Sequence, residues 1–212
     1  MVLEPRPTNQ GIRFIVGICI IAVSIYVFYI SIAKKNSPEL FIIPETIQTM
    51  GYPCEAASVD DYTLCIPSDL SYTESDAGLE VFSAQTRIRG TIQVVDELPQ
   101  EKPWRESLHK PLIKQFIGDV EGMATFELMK RILEHRYNPT LMGVKAKLIP
   151  PWMKNNKQAR ILIPQDREAL LFYTQSQFMG LIFSGQEIVI LTFNGYMDEV
   201  LAVSIMASVK SS

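Results

Sequence analysis

Between Phe14 and Ala33 the chain runs 20 residues without a charged side chain, FIVGICIIAVSIYVFYISIA, and Lys34 and Lys35 follow at once. A helix rises about 1.5 Å per residue, so this stretch covers about 30 Å, the thickness of a bilayer's hydrocarbon core. Tyr26 and Tyr29 lie toward its far end, where rings with a polar tip suit the interface, and the lysine stems can carry their ammonium groups out to the headgroups. The pattern predicts a transmembrane helix over residues 14–35 that places these residues in the lipid bilayer. Ser31 and Ala33 are spaced as at a signal-peptide cleavage site, but signal-peptide cores run about 7 to 15 residues and this one is longer, so it reads as a retained anchor. Cys19 follows the bulky Ile18, which does not suit a lipid-acceptor site. The position where a type IV pilin helix carries its acid falls on Ile15 or Val16, so that signature is absent.

Charge does not orient the span, because Arg6 and Arg13 on one flank balance Lys34 and Lys35 on the other. Two other features favour a cytoplasmic N-terminus and a periplasmic C-terminal domain on a cell (inner) membrane. One is the short tail of residues 1–13; the other is the pair Cys54 and Cys65, spaced like a disulfide. The alternative for the pair is two buried free thiols. A bond closing a loop of about a dozen residues contributes roughly 3 kcal/mol in the loop-entropy picture.

Residues 36–50, with Pro38 and Pro44, read as a connector, and residues 51–212 as an extracytoplasmic domain. Within the domain, YPCEAASVDDYTLCIP suggests two short strands around an Asp60–Asp61 turn, and residues 67–78 read as polar and flexible. LEVFSAQ and RIRGTIQVVD supply two further β-rich runs. Trp104, Leu108, Leu112 and Phe116 recur at steps of four, and Phe126, Met129, Ile132 and Leu133 at helical spacing. These predict two amphipathic helices, the first divided or kinked at Pro111. TLMGVKAKLIPPWMKNN fits a short helix or a strand. ARILIP, EALLFYTQS, FMGLIFSG and EIVILTFN then suggest an antiparallel meander, and Val200, Leu201, Ile205 and Val209 form one apolar face of a closing helix.

The expected fold class is therefore α+β, a mostly antiparallel sheet covered by helices behind one N-terminal transmembrane helix. This order of hairpin, strands, two helices, strand block and last helix is similar to the α/β sandwich of the photosystem oxygen-evolving accessory proteins. That resemblance implies an adaptor or assembly role.

Charge is unevenly distributed. Residues 36–101 hold 12 acids and 2 bases, residues 102–167 hold 6 acids and 13 bases, and residues 168–212 hold 4 acids and 1 base. One account is that the helices turn basic faces to water, with the acidic strands neutralising them nearby. The other is a docking face, for which Lys130, Arg131, Lys147 and Trp152 are the candidate residues, meeting an acidic partner or anionic headgroups. A net charge of −3 and the lack of an aromatic platform among the basic residues exclude a general nucleic-acid binder.

Chemistry-bearing motifs are absent. There is no Gly-rich phosphate loop, no Gly-x-Ser-x-Gly, no Cys-x-x-Cys-His and no His-Glu-x-x-His, and neither His109 nor His135 has ligand-like spacing from a cysteine. No cofactor or metal is expected. The sequence therefore predicts a non-enzymatic accessory or adaptor protein with a protein partner in the membrane or periplasm. The competing classes are a tethered enzyme, with His135 and Glu134 or the Asp60–Asp61 turn as its candidates, and a ligand sensor with an apolar cavity between sheet and helices.

Overall fold

The computed structural model describes residues 9–36, 39–43, 51–99, 101–135, 138–154 and 156–212. Among them are six α-helices and a large, mostly antiparallel sheet, an α+β arrangement. Most of the N-terminal tail, residues 44–50 and Arg136 lie outside the described residues.

The first helix, α1, spans Asn9–Asn36, and its 22-residue segment Gly11–Ile32 is long and apolar enough to cross a membrane. Phe14, Ile20, Val23 and Phe28 are all exposed, so the apolar segment of this helix is not buried among the described residues. The Ser31 hydroxyl donates to the Val27 carbonyl at 2.9 Å, which satisfies it within the helix.

Strand β1, Glu39–Ile43, follows after only two residues and pairs in parallel with β7, Arg160–Pro164, with Leu40 opposite Ile161 and Ile42 opposite Ile163. The connector expected over residues 36–50 thus contains an edge strand. Four apolar residues, two of them β-branched, follow Glu39 and suit a sheet edge, although the prolines around them give the sequence a linker's appearance.

Strands β2, Cys54–Val59, and β3, Tyr62–Pro67, form the expected hairpin, with Asp60 at its turn in the left-handed region at φ 49°. Aspartate tolerates that conformation better than most residues. Cys54 and Cys65 are joined as a disulfide, their Cα atoms 5.5 Å apart. Strand β4, Ser71–Ser75, occupies the stretch expected to be flexible, because its backbone pairs with β5, Gly78–Phe82, even though its side chains are mostly exposed. Strand β6 is Arg89–Val95.

The helical middle comprises α2, Glu101–Leu108; α3, Pro111–Ile117; α4, Thr125–Glu134; and α5, Met142–Leu148, with 3-10 turns at Pro139–Leu141 and Pro151–Met153. Pro111 does divide the first amphipathic run, but the division also resets its phase. Trp104, Leu108, Ile113 and Ile117 are buried, whereas Leu112 and Phe116, expected on the same apolar face, are exposed. The meander follows as β7, β8 (Ala169–Thr174), β9 (Gln177–Ser184) and β10 (Glu187–Asn194). Helix α6, Glu199–Ser208, starts from Asp198, whose Oδ1 accepts from the Val200 amide at 2.7 Å, and β11, Lys210–Ser211, joins the edge of β3.

The main sheet runs in the order β1-β7-β8-β9-β10-β6-β5-β4, and the small one β11-β3-β2. One face of the main sheet packs on α6 and the small sheet, with Leu171, Phe178, Leu191 and Phe193 meeting Ile205, Met206 and Leu64 in one core. The other face packs on α2 to α5, where Ile161, Phe172, Leu181 and Ile190 meet Trp104, Met129 and Leu148. Strand β8 is covered on both sides, and all six of its residues are buried, which accounts for its unbroken apolar run. Helix α6 likewise lies between two sheets and buries Ala202 through Met206, not the single apolar stripe expected from its sequence.

Candidate functional site

The helices do not cover the whole of their face of the sheet. Cross-strand partners on that face form a row from Phe172 to Met179, Thr192, Thr91 and Glu80. Phe172 is buried, Met179 and Thr192 are half-buried, and Thr91 and Glu80 are exposed. The row passes from core to solvent, and Trp152 lines a cavity together with its members Phe172, Met179 and Thr192.

Local sequence places Trp152 there. Pro150 and Pro151 fix the backbone angles into a 3-10 turn in which the Met153 amide donates to the Pro150 carbonyl at 3.0 Å. Met153 is buried as the anchor of this turn, which leaves the half-buried Trp152 packed on the edge of the helical core. Between this turn, α2, α5 and the sheet lies a cavity of about 260 Å³, lined by Trp152, Trp104, Leu98, Met179, Gln93 and Lys147 among others. An open trough of about 510 Å³ continues from Thr192 across Thr91 and Glu80 to Phe82 and Arg89. The two adjoin at Thr192 along one groove line, more apolar at the Trp152 end and mixed along β5 and β6, where Glu80, Arg89 and Thr91 stand beside Phe82 and Val81.

The walls are tied together. Lys147 Nζ donates to the Ser107 hydroxyl at 2.8 Å and to the Pro103 carbonyl at 3.2 Å, which joins α5 to α2 and leaves the charged end at the rim. Glu101, buried at the start of α2, accepts from Arg105 at 2.5 Å and from the Thr125 hydroxyl at 2.6 Å, and Arg105 also donates to Thr125 at 2.9 Å. A buried carboxylate is stable here because each partner is itself bonded.

Of the four docking candidates from the sequence, two line one cavity and a third lines another. Lys147 and Trp152 meet in the groove. Lys130 lines a different open site, of about 500 Å³, beside Asp166, Arg167 and Glu168. Arg131 donates to the Ile117 carbonyl at 3.1 Å and to Glu127 at 3.3 Å, so its guanidinium closes the C-terminal end of α3. Arg160 pairs with Glu199 of α6 at 3.1 Å, so one charge of the basic excess is matched by another part of the chain at the surface, and Arg167 pairs with its neighbour Asp166 at 3.5 Å. His135 and Glu134 are both exposed at the end of α4, His109 is exposed just past α2, and Asp60 and Asp61 are exposed at the hairpin turn. Among the described residues, no group of three or more His, Cys, Asp or Glu side chains is arranged to hold a metal ion.

Gln93 and Thr192 were not among the sequence candidates. The signal for Gln93 lies in GTIQVV, where Thr91 and Gln93 alternate with the buried Ile92. Such alternation marks a strand with one face in water, in contrast to the continuous apolar run of β8.

No protein-family model matches the chain, and no curated protein matches it in sequence. Among solved structures it is similar to the solution structure of cyanobacterial PsbP (CyanoP) from Synechocystis sp. PCC 6803, with 7% sequence identity and a TM-score of 0.39, over 77% of this chain and 95% of that one.

Proposed function

We propose that the chain is a single-pass membrane protein whose extracytoplasmic, sandwich-like α+β domain binds a protein partner, as an accessory or assembly subunit of a membrane complex. The span Gly11–Ile32 supports the anchor. The Cys54–Cys65 bond supports an oxidising compartment for the domain, since disulfides persist there and are reduced in the cytosol. Binding rests on one observation, the groove in which Trp152 and Lys147 border an uncovered half of the sheet face.

A partner with an apolar side chain at one end and polar groups beyond it matches that lining. The partner's side chain enters beside Trp152, and its flanking groups meet Gln93, Thr91 and Arg89. The apolar end, at about 260 Å³, has room for one inserted side chain. Of the sequence candidates Lys130, Arg131, Lys147 and Trp152, only the last two line the groove. Arg131 serves the end of α3 instead.

Co-purification of a tagged chain from native membranes tests this. Trp152→Ala should weaken partner retention by about 2 kcal/mol, about thirtyfold, as for a buried aromatic anchor. Lys130→Glu should leave retention intact. Retention unaffected by Trp152→Ala, or lost with Lys130→Glu alone, would move the interface away from the groove.

A further inference from the structure

The shift of phase at Pro111 leaves Leu112 and Phe116 outside the core, 64% and 45% exposed. They lie four residues apart and so share one face of α3. Outside α1, the other large exposed apolar side chains among the described residues are Phe82, in the open trough, and Tyr196, which carries a hydroxyl. The α3 pair is therefore a separate apolar spot. From Ser107 to Gly118 the sequence has Lys110 and Lys114 and no acid.

The fold places this spot near the anchor. The Pro139–Leu141 turn lies against both α1 and α3. Only two residues separate Asn36 from Glu39, so three Cα steps of about 3.8 Å allow about 11 Å between helix end and first strand. Glu39 is already held to the domain, its amide donating to the Ala159 carbonyl at 3.4 Å. A domain tethered this closely stays at the bilayer surface, with α3 on the side of the tether.

We propose that α3 is a membrane-contact element, whose Leu112 and Phe116 enter the boundary between headgroups and acyl chains while Lys110 and Lys114 meet anionic headgroups. Exposed aromatic and aliphatic side chains flanked by lysines are the composition that settles at this depth. The inference rests on the reading of α1 as a membrane span. It goes beyond that reading by fixing which face of the domain meets the lipid, and it leaves the Trp152 groove for the protein partner.

Spin-label accessibility in the full chain tests it. In a Cys19→Ser background, with Cys54 and Cys65 still paired, single cysteines are placed as Phe116→Cys with Leu112 intact and as Leu112→Cys with Phe116 intact. Ile25→Cys reports the anchor, and Asp76→Cys reports the β4–β5 turn at the opposite edge of the sheet from β1. The protein is reconstituted alone in phosphatidylcholine and phosphatidylglycerol vesicles, and collision rates are measured with oxygen and with a water-soluble nickel chelate. The expected result is an oxygen preference at 112 and 116 between the values at 25 and 76, reduced when phosphatidylglycerol is omitted. Labels at 112 and 116 that match position 76, with position 25 in hydrocarbon, would overturn the α3 proposal, leave the anchor standing and point to a protein cover. A water-accessible position 25 would overturn both.

Discussion

Ser204 sits in α6, 3% exposed, and its hydroxyl has no hydrogen-bond partner among the described residues. An unpaired buried hydroxyl costs stability, so Ser204→Ala should be neutral or stabilising by about 1 kcal/mol in urea denaturation. A clear loss would mean that the hydroxyl is bonded. Tyr173 is the opposite case: its hydroxyl donates to the Met197 carbonyl at 2.8 Å, and burial, reinforced by Glu199 and Asp198, pushes its pKa up to about 12. The folded protein holds this proton after the unfolded chain has lost it. The stabilisation is complete below pH 10 and is lost as pH rises from there to about 12. Tyr173→Phe should lower stability at neutral pH by about 1 kcal/mol and flatten the decline across that alkaline window. An unchanged slope would assign the decline to other groups, such as Tyr62, which burial also shifts upward. Neither behaviour was legible from composition. Apolar runs announced that these segments would be buried, but hydrogen-bond partners come from other elements.

Elements with strong periodicity were readable, and those that depend on a distant neighbour were not. The four strands of the meander and the two amphipathic helical regions follow from the spacing of apolar residues. Strand β4, SYTES, carries no apolar alternation and exists because β5 supplies its backbone partners. The steps of four from Trp104 to Phe116 carry one apolar face across the division at Pro111, yet a proline that starts a new helix also starts a new phase, so Ile113 and Ile117 take the inward places in that helix and Leu112 and Phe116 face out. Register carries its own demand at Gly90, opposite Phe193. A Cβ there would lie 2.5 Å from the Phe193 ring and 2.7 Å from the Thr192 carbonyl, disturbing a ring pair, Phe178 on Phe193, whose centroids are 4.7 Å apart. Gly90→Ala should destabilise by about 1 to 3 kcal/mol, as overpacking does, with the change read from a lowered denaturation midpoint. At the hairpin, Cys54→Ser with Cys65→Ser should cost about 3 kcal/mol if closure of the short loop accounts for the bond's effect, and the wild type under reduction should match it. A loss below about 1 kcal/mol would show that the hairpin is held mainly by its contacts with α6 and β11.

The whole molecule is organised by what each face of the main sheet meets. One face is closed by α6 and the small sheet, and the other is closed by helices over β7 to β10 and, among the described residues, open from β10 to β5. Trp152 and Lys147 were singled out in the sequence, but their meeting with Gln93 and Thr192 was not. Those residues belong to strands some 40 to 60 positions away, and only the sheet order brings them together. The same geometry separates Lys130 and Arg131 from the groove, a division that a run of basic residues does not reveal. A tethered domain that holds a protein partner in this groove is tested by photo-cross-linking in native membranes, with a photoreactive phenylalanine derivative in place of Trp152 and, separately, in place of Asp76. One stoichiometric adduct is expected from position 152 and none from position 76. No adduct at 152, or the same adducts from both positions, would contradict it.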